Sequence, residues 1–589
     1  MTLTNRGSVN TAESFIAADE VNVILLIFAP ALFSANPYPV PPRSMMTSAT
    51  SPAGSTVEEH KGLTEPDLTL TGLEVGTYSF FVKVTNSSKD EASATCPDTF
   101  AASVRDCYVS NTGSATWPYD TEAKATPSFA DAIANAAVSV KVVPGTYDLS
   151  AARALLEVSK GVEIASASGD AADVIIDLGG TGYGFSLNNE KAKIGNVTFT
   201  SSAAMDDSAN LALPRFVDVV MGAVEGCVFR DITIGGTSGK GSHPVKLSAV
   251  GVISGCRFAN ITGDVSTPAQ GGVVQTVGGV ISNTQFVACN VYRAPIVTTS
   301  TATLTVEDCL FAGIVSDGSS KTASYGVIYV DKSNTATEYN EVPVFRRTTV
   351  ANNTVAKSGA VYYGSTTMSN KPMRFEDCVF AKNVGAGLCG VLEGNSRGCF
   401  TCVRCRFTDN VGNSYGVVNP VSSVVQTFRN CLMCGNTGKT VAGVANENQG
   451  SFVLDSCTVT GNRTETGSVA GIRIVDTAGQ AGVKNSIVWG NTGAETQLSV
   501  DEKKVSYSCY PEAVEGNTKG NISEDPRLVT TRQHRGYPAP GSPCADAGTA
   551  SGWTAADIDL AGRPRLRDGK IDMGCYQIVP LPGLMLLLK

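Results

Sequence analysis

The chain has 589 residues, with 60 glycines, 17 per cent charged residues and 7 per cent aromatic residues. One ordinary globular core does not grow to this length, so the composition predicts a repetitive fold whose many tight turns use glycine. The 45 basic and 54 acidic residues give a net charge of −9. With no basic stripe along the chain, this balance argues against nucleic acid as a partner.

An apolar run at residues 21–33 lies near the start of the chain and leads into Ser-Ala. It has the length of the hydrophobic part of a secretory signal, and small residues are typical of the cleavage site. Asp19 and Glu20 precede it, where a signal usually carries positive charge. We predict a signal segment at residues 1–35, a secreted or cell-surface protein, and a linker rich in Pro, Ser and Thr at residues 36–62.

Residues 63–105 alternate between apolar and polar positions around Gly72 and Gly76. Gly-Thr-Tyr at residues 76–78, followed by Phe-Phe-Val-Lys-Val, resembles the closing strands of an immunoglobulin-like or fibronectin-like module. A complete sandwich of this kind needs about 100 residues. The resemblance therefore implies a partial β-sandwich-like segment.

The next stretch predicts a short helix and the start of a solenoid. Ser128 can cap the helix because Asp131 follows three residues later, and Phe129 and Ile133 share one helical face. Val-Val-Pro-Gly-Thr-Tyr at residues 142–147 then resembles the first coil of many pectin-lyase-like β-helices. The resemblance implies that the helix caps the open end of the solenoid.

A repeating unit fills the middle of the chain, and its clearest copy is Phe-Glu-Asp-Cys-Val-Phe-Ala-Lys-Asn at residues 375–383. Alternation that ends in Asn is typical of a short strand followed by a turn. Copies of this unit recur at steps of 25 to 39 residues. A repeat of this length indicates a solenoid, so we predict an all-β, right-handed parallel β-helix over residues 106–505. The copies, aligned on their cysteine position, lie at Cys227, Cys256, Thr284, Cys309, Thr348, Cys378, Cys405, Cys431, Cys457 and Ser486.

Stacking the copies produces two structural columns. We interpret the inward cysteines, with Cys378, Cys405, Cys431 and Cys457 as the clearest, as small apolar core residues. The asparagines that end the copies would form a ladder of side-chain amides bonded from coil to coil. The predicted ladder consists of Asn353, Asn383, Asn410, Asn436, Asn462 and Asn491.

The two positions before each cysteine carry charges that alternate in sign from copy to copy. Parallel strands lie about 4.8 Å apart, so opposite charges at equivalent positions attract and like charges repel. The alternation therefore predicts that the coils stack in register. The columns begin Glu307, Arg346, Glu376 and Asp308, Arg347, Asp377, Arg404.

Several copies resemble a known group of repeats. Phe-x-x-Asn occurs at Phe380 and Phe407, Gly-Gly-Val begins at Gly271, and Ser-Gly-Ala-Val begins at Ser358. Together they resemble the repeats of polymorphic outer-membrane proteins and other bacterial β-helix surface proteins. The resemblance implies a β-helix displayed on a cell surface.

One coil carries an insertion. The step from Cys309 to Thr348 is 39 residues, whereas the neighbouring steps are 25 to 30 residues. Insertions in solenoids project from one face and often form the binding surface. The tyrosines of this coil, Tyr325, Tyr329 and Tyr339, are therefore candidate binding residues, and a loop without function is the alternative.

After the last copy, residues 506–580 carry different motifs. Ser-Pro-Cys-Ala-Asp-Ala-Gly at residues 542–548 and Asp-Leu-Ala-Gly-Arg-Pro-Arg at residues 559–565 resemble the choice-of-anchor Q region that closes many bacterial β-helix surface proteins. The chain departs from that pattern at Cys575 and Gln577, where Ala and Glu are usual. The departure puts the resemblance in doubt at these two positions only.

The same region contains candidate cross-link and metal residues. Cys544 and Cys575 are the candidate pair for a local disulfide. Asp557, Asp559 and Asp572 are candidate calcium ligands, although Asp in turns usually bonds its own backbone. We expect no other cofactor.

Residues 399–405 and 431–434 have the Cys-x-x-Cys spacing of zinc sites. The repeat register places most of these cysteines inward and Cys434 outward, so their thiolates would not converge on one ion. The apolar tail at residues 581–589 is too short to span a bilayer, and we predict no integral membrane span.

Signatures of catalysis are sparse. Only His243, of three histidines, lies within the repeats, and the Asn-Thr-Asp, Gly-Asp-Asp and Gly-His-Gly motifs of polygalacturonase-like enzymes are missing. We predict an exported, non-catalytic, monomeric β-helix protein that acts in adhesion or binds a polysaccharide or cell-surface glycan. A polysaccharide lyase or glycoside hydrolase of the same fold is the alternative, and a structural spacer is a third hypothesis, because a fold does not determine function.

Overall fold

In the computed structural model, nearly all the regular secondary structure of the described residues is β-strand, and helix is almost absent. Before residue 105 the structure describes the backbone of strands alone. None of the described helices has the length and apolar character that crossing a membrane requires. From residue 105 the described residues are 105–205, 215–235, 243–263, 272–291, 294–298, 303–315, 326–331, 343–356, 359–365, 372–396, 398–420, 425–446, 451–475, 479–530 and 534–578.

The chain divides into two compact units, residues 1–141 and 142–589. The first unit contains an antiparallel sheet with the strand order Glu59–Lys61, Asn22–Phe28, Gly76–Thr85 and Glu91–Ala102. A separate strand pair joins Thr2–Thr4 to Asp67–Thr69. The apolar run that predicted a signal segment thus supplies one strand, and the strands predicted at residues 63–105 extend into a larger sheet.

The first unit also contains the neighbouring strands Val104–Val109 and Ala136–Val142, with one α-helix at Phe129–Asn135 between them in sequence. Ser128 caps this helix, because its side-chain oxygen accepts a 3.2 Å hydrogen bond from the backbone N–H of Asp131. The predicted helix and its capping residue are confirmed.

The second unit is organised around three long parallel sheets, which we name by a feature of each. The tyrosine sheet consists of Leu156–Val158, Phe185–Leu187, Val217–Val219, Val245–Leu247, Val274–Thr276, Ile296–Thr298, Ile328–Asp331, Val361–Ser365, Leu392–Ser396, Val418–Pro420, Val444–Asn446, Val469–Ile474 and Thr496–Ser499. The ion-pair sheet consists, in this unit, of Glu163–Ser166, Lys193–Gly195, Ala223–Glu225, Val252–Ser254, Gly279–Ser282, Leu304–Glu307, Val344–Arg346, Met373–Glu376, Phe400–Val403, Val425–Arg429, Ser451–Asp455, Gly482–Lys484 and Val505–Ser506.

The third sheet and two minor sheets complete the unit. The phenylalanine sheet consists of Gly145–Asp148, Val174–Asp177, Thr198–Thr200, Val228–Ile234, Arg257–Gly263, Gln285–Val287, Leu310–Ala312, Thr349–Ala351, Val379–Ala381, Arg406–Thr408, Leu432–Cys434, Thr458–Thr460 and Ile487–Trp489. The minor sheets are Thr354–Val355, Val384–Gly385, Val411–Gly412, Thr437–Gly438 and Arg463–Thr464, and the pair Leu528–Val529 with Tyr537–Pro538.

Each strand pairs in parallel with the equivalent strand of the next coil, as Val379–Ala381 does with Arg406–Thr408. The second unit is therefore a right-handed parallel β-helix, which confirms the predicted fold class. Equivalent inward side chains stack along the axis. Phe258 and Phe286 lie 4.8 Å apart between ring centroids and are parallel within 5°, which is the spacing of paired strands.

The asparagine ladder shows the same stacking at a turn. In its middle, Asn410 donates from its backbone N–H and from Nδ2 to Oδ1 of Asn436, at 3.0 and 2.9 Å. Nδ2 of Asn410 also donates to the carbonyl of Phe380 at 3.0 Å. Asn353, Asn383, Asn410, Asn436 and Asn462 are 0 to 1 per cent exposed. The ladder thus satisfies buried polar groups between coils, as the sequence predicted.

The cysteine column lies inside the coil, at the turn between the ion-pair and phenylalanine sheets. Cys378, Cys405, Cys431 and Cys457 are buried. The Cys378 thiol donates to the carbonyl of Glu376, two residues earlier, at 3.3 Å. Thr348, at the equivalent position of the preceding coil, donates to the carbonyl of Arg346 at 3.0 Å. From Cys227 onward the position carries a small side chain that donates a hydrogen bond, which is Cys, Ser or Thr, whereas Val197 occupies it one coil earlier.

The charged columns also stack in register. Glu307 lies opposite Arg346, and Arg346 lies opposite Glu376. In the second column, Arg404 donates to Asp377 at 2.7 Å. The alternating charges therefore form ion pairs between coils, as predicted. Because these side chains are still partly exposed to water, they fix the register more than they add stability.

Residues 534–578 lie along the outer face of the phenylalanine sheet. Arg406 donates to the carbonyl of Leu560 at 2.7 Å, and the backbone N–H of Cys575 donates to Thr458 at 3.0 Å. The C-terminal segment therefore runs back beside the later coils. It covers outward-facing side chains such as Leu432, which is only 2 per cent exposed.

Replacing Asn410 by Ala should destabilise the protein by about 3 kcal/mol or more, since it leaves buried donors and acceptors of two adjacent coils without partners. Asn413→Ala is the matched control, because Asn413 lies in the same coil and is exposed. The measurement is chemical denaturation followed by circular dichroism. Equal stability of the two variants would show that the ladder is not a source of stability.

Candidate functional site

The candidate site is a row of side chains on the outer face of the tyrosine sheet. Side chains alternate along a strand, so each member of the row lies between inward-facing neighbours. The row runs through successive coils, with equivalent positions fixed by strand pairing. We call it the tyrosine row, and its members are Val297, Tyr329, Tyr362, Glu393 and Asn419.

Two stacked tyrosines form the centre of the row. The rings of Tyr329 and Tyr362 lie 5.3 Å apart between centroids, with an angle of 12° between their planes. Tyr329 is 6 per cent exposed and packs with Ala294 and Val297, whereas Tyr362 is partly exposed. Of the three predicted binding tyrosines, Tyr329 thus lies in the row, and Tyr325 and Tyr339 lie outside the described residues.

Glu393 follows Tyr362 in the row and is 9 per cent exposed. Its Oε2 accepts a 3.0 Å hydrogen bond from the backbone N–H of Gly359, in the coil that carries Tyr362. Burial raises the pKa of Glu393 from 4.5 to about 7, although the backbone N–H groups of Gly359 and Leu388 favour the carboxylate and oppose this change. The row therefore contains a carboxyl group that titrates near neutral pH.

The same line of outward positions continues through the earlier coils as polar residues, among them Asp218 and Lys246. Arg215 donates to Asp218 at 3.1 Å, and Lys246 lies 3.9 Å from it. His243 is buried, and its Nδ1 accepts a 3.0 Å hydrogen bond from the backbone N–H of Gly272. This part of the face holds ion pairs, and the histidine there joins two coils.

The three calcium candidates bind backbone groups. Asp559 accepts hydrogen bonds from three backbone N–H groups, those of Ala561, Arg563 and Gln577, at 2.7 to 2.8 Å. Asp572 accepts from two backbone N–H groups and Asp557 from one. Across the described ranges, no group of three or more His, Cys, Asp and Glu residues is arranged to hold a metal ion.

The cysteines that the sequence analysis singled out are all buried and free. Cys434 faces outward, as expected, but Leu560, Cys575 and Tyr576 of the C-terminal segment cover it. Cys544 packs in a different cluster, with Cys509 and Met573. The structure therefore does not join Cys544 to Cys575, because the two cysteines contact different coils.

Sequence analysis missed Tyr362 and Glu393, although a signal for them exists. Tyr329, Tyr362, Glu393 and Asn419 each stand three residues after a glycine in Gly-Val-Ile-Tyr, Gly-Ala-Val-Tyr, Gly-Val-Leu-Glu and Gly-Val-Val-Asn. The glycine is required because a Cβ at Gly359 would lie 2.6 Å from the carbonyl oxygen of Val391 in the next coil. Aligning the coils on this glycine would have placed four of the five members of the row, since Ala294 stands in its place before Val297.

Comparison with known proteins leaves the family open. No protein-family model and no curated protein matches the sequence. Two solved structures are similar over most of the chain. Pectate lyase Pel9A has 10% identity and a TM-score of 0.32, covering 81% of this chain and 97% of that chain. The catalytic unit of a thermostable GH87 alpha-1,3-glucanase from Streptomyces thermodiastaticus strain HF3-3 has 12% identity and a TM-score of 0.39, covering 82% and 89%.

The architecture defines the class of the second unit as a right-handed parallel β-helix with an aromatic and acidic row on one outer face. The chain is not assigned to a family within that class. The resemblances to polymorphic outer-membrane repeats and to the choice-of-anchor Q region stay predictions from their motifs.

Glu393 should make the stability of the protein depend on pH. Its pKa is higher in the folded state than the ordinary value of 4.5, so the folded state binds the proton more tightly. The contribution of Glu393 to the free energy of unfolding is fully present below pH 4.5, and it is lost as the pH rises through about 7. Between these limits we expect a loss of about 3 kcal/mol that Glu393→Gln does not show.

Chemical denaturation between pH 4.5 and pH 8 measures this difference, with the exposed Glu465→Gln as the matched control. The control should follow the wild-type curve. A Glu393→Gln curve parallel to both would mean that Glu393 ionises at its ordinary pKa in the folded protein.

Proposed function

We propose that the protein is an exported, cell-surface β-helix protein that binds a glycan through the tyrosine row and acts without catalysis. The stacking of Tyr329 on Tyr362 beside Glu393 carries the proposal. Aromatic rings present an apolar face that suits the C–H face of a sugar ring. Tyr362 is the partly exposed ring of the pair, whereas Glu393 and Asn419 are 9 and 4 per cent exposed, so the proposed contact is made by the ring of Tyr362.

The geometry of the solenoid supports a linear polysaccharide as the ligand. Successive members of the row are separated by the spacing of paired strands, about 4.8 Å. The line of outward positions continues from the tyrosine row to Asp218 across several coils. The partly exposed positions of this line are Asp218, Lys246, Gln275 and Tyr362, whereas the other members of the tyrosine row are 2 to 9 per cent exposed. An extended polymer can contact these partly exposed positions on one protein molecule, so we propose that the protein binds as a monomer.

Export is supported by the sequence alone. The resemblance to bacterial β-helix surface proteins favours it, and so does the composition of the apolar run at residues 21–33, although the structure pairs Asn22–Phe28 as a strand with Gly76–Thr85. The glycan would then be one that the protein meets outside the cell.

Tyr362→Ala should weaken glycan binding about tenfold, which corresponds to the loss of about 1.4 kcal/mol. Tyr362→Phe keeps the ring and should bind nearly as well as the wild type. Tyr507→Ala is the matched control, since Tyr507 is 39 per cent exposed and lies outside the row. The measurement is a glycan array followed by titration calorimetry on the polysaccharide that binds, with the melting temperature of each variant recorded.

Binding that Tyr362→Ala leaves unchanged would remove the tyrosine row from the proposal. Absence of binding to every polysaccharide on the array would contradict the glycan-binding function itself and favour a structural spacer.

Polysaccharide cleavage is the second candidate, and the titration of Glu393 near neutral pH favours it. A buried carboxyl with a raised pKa is the usual general acid of a glycosidase. Hydrolysis also needs a second carboxylate across the bond. Glu393 is the one acidic member of the tyrosine row, so cleavage would require a second carboxylate from outside the row.

If the second candidate is correct, the wild type will release reducing ends or unsaturated products from the polysaccharide that it binds. Glu393→Gln should then lower product release at least a hundredfold, in line with the loss of a general acid, while binding remains. Reducing-end assays and absorbance of unsaturated sugars measure this directly. Binding without any product from the wild type would reject cleavage and leave the binding function.

A further inference from the structure

Cys509 and Cys544 form a pair of thiols between the last coil and the C-terminal segment. Both are fully buried and belong to one cluster with Ile487 and Met573. The Cys509 thiol donates to the carbonyl of Glu524 at 3.3 Å, and its side chain packs with that of Cys544 in this cluster. This contact joins positions that are 35 residues apart in sequence.

Backbone contacts fix both partners. The N–H of Cys509 donates to the carbonyl of Ser486 at 2.8 Å, which continues the parallel pairing of the solenoid. The N–H of Met573 donates to the carbonyl of Cys544 at 3.0 Å. The Cys544 turn is also tied to its surroundings, since the Ser542 hydroxyl donates to the carbonyl of Pro526 at 2.7 Å. Hydrogen bonds of the surrounding backbone therefore fix the positions of both cysteines.

We propose that Cys509 and Cys544 form a disulfide when the protein folds in an oxidising compartment. The proposal rests on the proposed export only for the presence of an oxidant, which is a small-molecule disulfide such as oxidised glutathione. The thiolate of one cysteine attacks this disulfide, a mixed disulfide forms, and one small thiol leaves. The second cysteine thiolate then displaces the other small thiol. The two protein thiols lose two protons and two electrons, and the small-molecule disulfide is reduced to two thiols.

The spacing of the cysteine column in the repeats disfavours disulfide formation there. Cys378 and Cys405 occupy equivalent positions of paired coils. Side chains in register on parallel strands keep their Cβ atoms about 4.8 Å apart, beyond the 3.5 to 4.5 Å that a disulfide needs. Cys509 and Cys544 come from segments that are not paired in register, so this limit does not apply to them.

The bond would lock the C-terminal segment to the end of the solenoid. Residue 509 follows the last strand of the ion-pair sheet, and residue 544 precedes the motifs that cover Cys434 and Leu432. A cross-link between them removes conformations that the detached segment would otherwise explore. The covalent bond therefore keeps the outward-facing apolar side chains of the later coils covered outside the cell.

Peptide mapping tests the proposal on the full chain. The protein is folded in a buffer of oxidised and reduced glutathione, denatured in urea with iodoacetamide, and digested with trypsin without reduction. Tryptic peptides 505–519 and 536–565 contain Cys509 and Cys544 as their sole cysteines, and Cys575 falls in the peptide that begins at Ile571. We expect the first two peptides to appear as one cross-linked species that reduction separates.

Two variants identify the partners. Cys509→Ser should leave Cys544 alkylated and should lower the melting temperature of the oxidised protein to that of the reduced wild type. Cys575→Ser is the matched control and should leave the cross-link intact. Alkylation of both Cys509 and Cys544 in the folded, oxidised wild type would overturn the proposal, and so would a cross-link between Cys544 and Cys575. Neither result depends on glycan binding, so the proposed function is tested separately.

Discussion

The pairing of each strand with its counterpart in the next coil is the constraint on which the rest of the second unit depends. Equivalent positions of successive coils lie about 4.8 Å apart, so each side chain lies next to the side chains at the same position in the coils before and after it. Inward positions therefore repeat an aromatic or aliphatic residue, as Phe258 and Phe286 do in the core. At exposed turns the same constraint rejects repeated charges of one sign, which explains why Asp377 is followed by Arg404.

Polar residues inside the solenoid obey the same rule in a stricter form. A buried amide or hydroxyl is costly unless each of its groups is bonded. Asn410 meets this condition because the two adjacent coils offer an identical amide and a backbone carbonyl one step away. Cys378 and Thr348 meet it with a carbonyl of their own turn. The ladder and the cysteine column are thus two solutions to one problem, that of closing a turn where water does not reach.

The sequence was sufficient to predict the features that repeat from coil to coil. The fold class, the asparagine ladder and the alternating ion pairs were all predicted, since each is visible as a period in the chain. Contacts between distant segments carry no period and were missed. Cys434 faces outward by register, yet Leu560 and Tyr576 cover it from more than a hundred residues further along. Asp559, a calcium candidate, bonds the nearby backbone N–H groups of Ala561 and Arg563 and also that of Gln577, 18 residues further along.

The tyrosine row could be predicted only in part, for a related physical reason. Outward positions of a solenoid are not forced to repeat, so their sequence varies from coil to coil and carries no period of its own. Tyr329 was found because it lies near an insertion, whereas Tyr362 and Glu393 lie in coils of ordinary length. That freedom also makes the row informative. A carboxyl group is costly to bury without a charged partner, and the folding of the coil does not require one at position 393, where neighbouring coils carry Tyr362 and Asn419. Glu393 bonds the backbone N–H of Gly359 in the preceding coil, yet the neighbouring coils close without an acidic residue at this position, which is why Glu393 is the member of the row that the proposed function must account for.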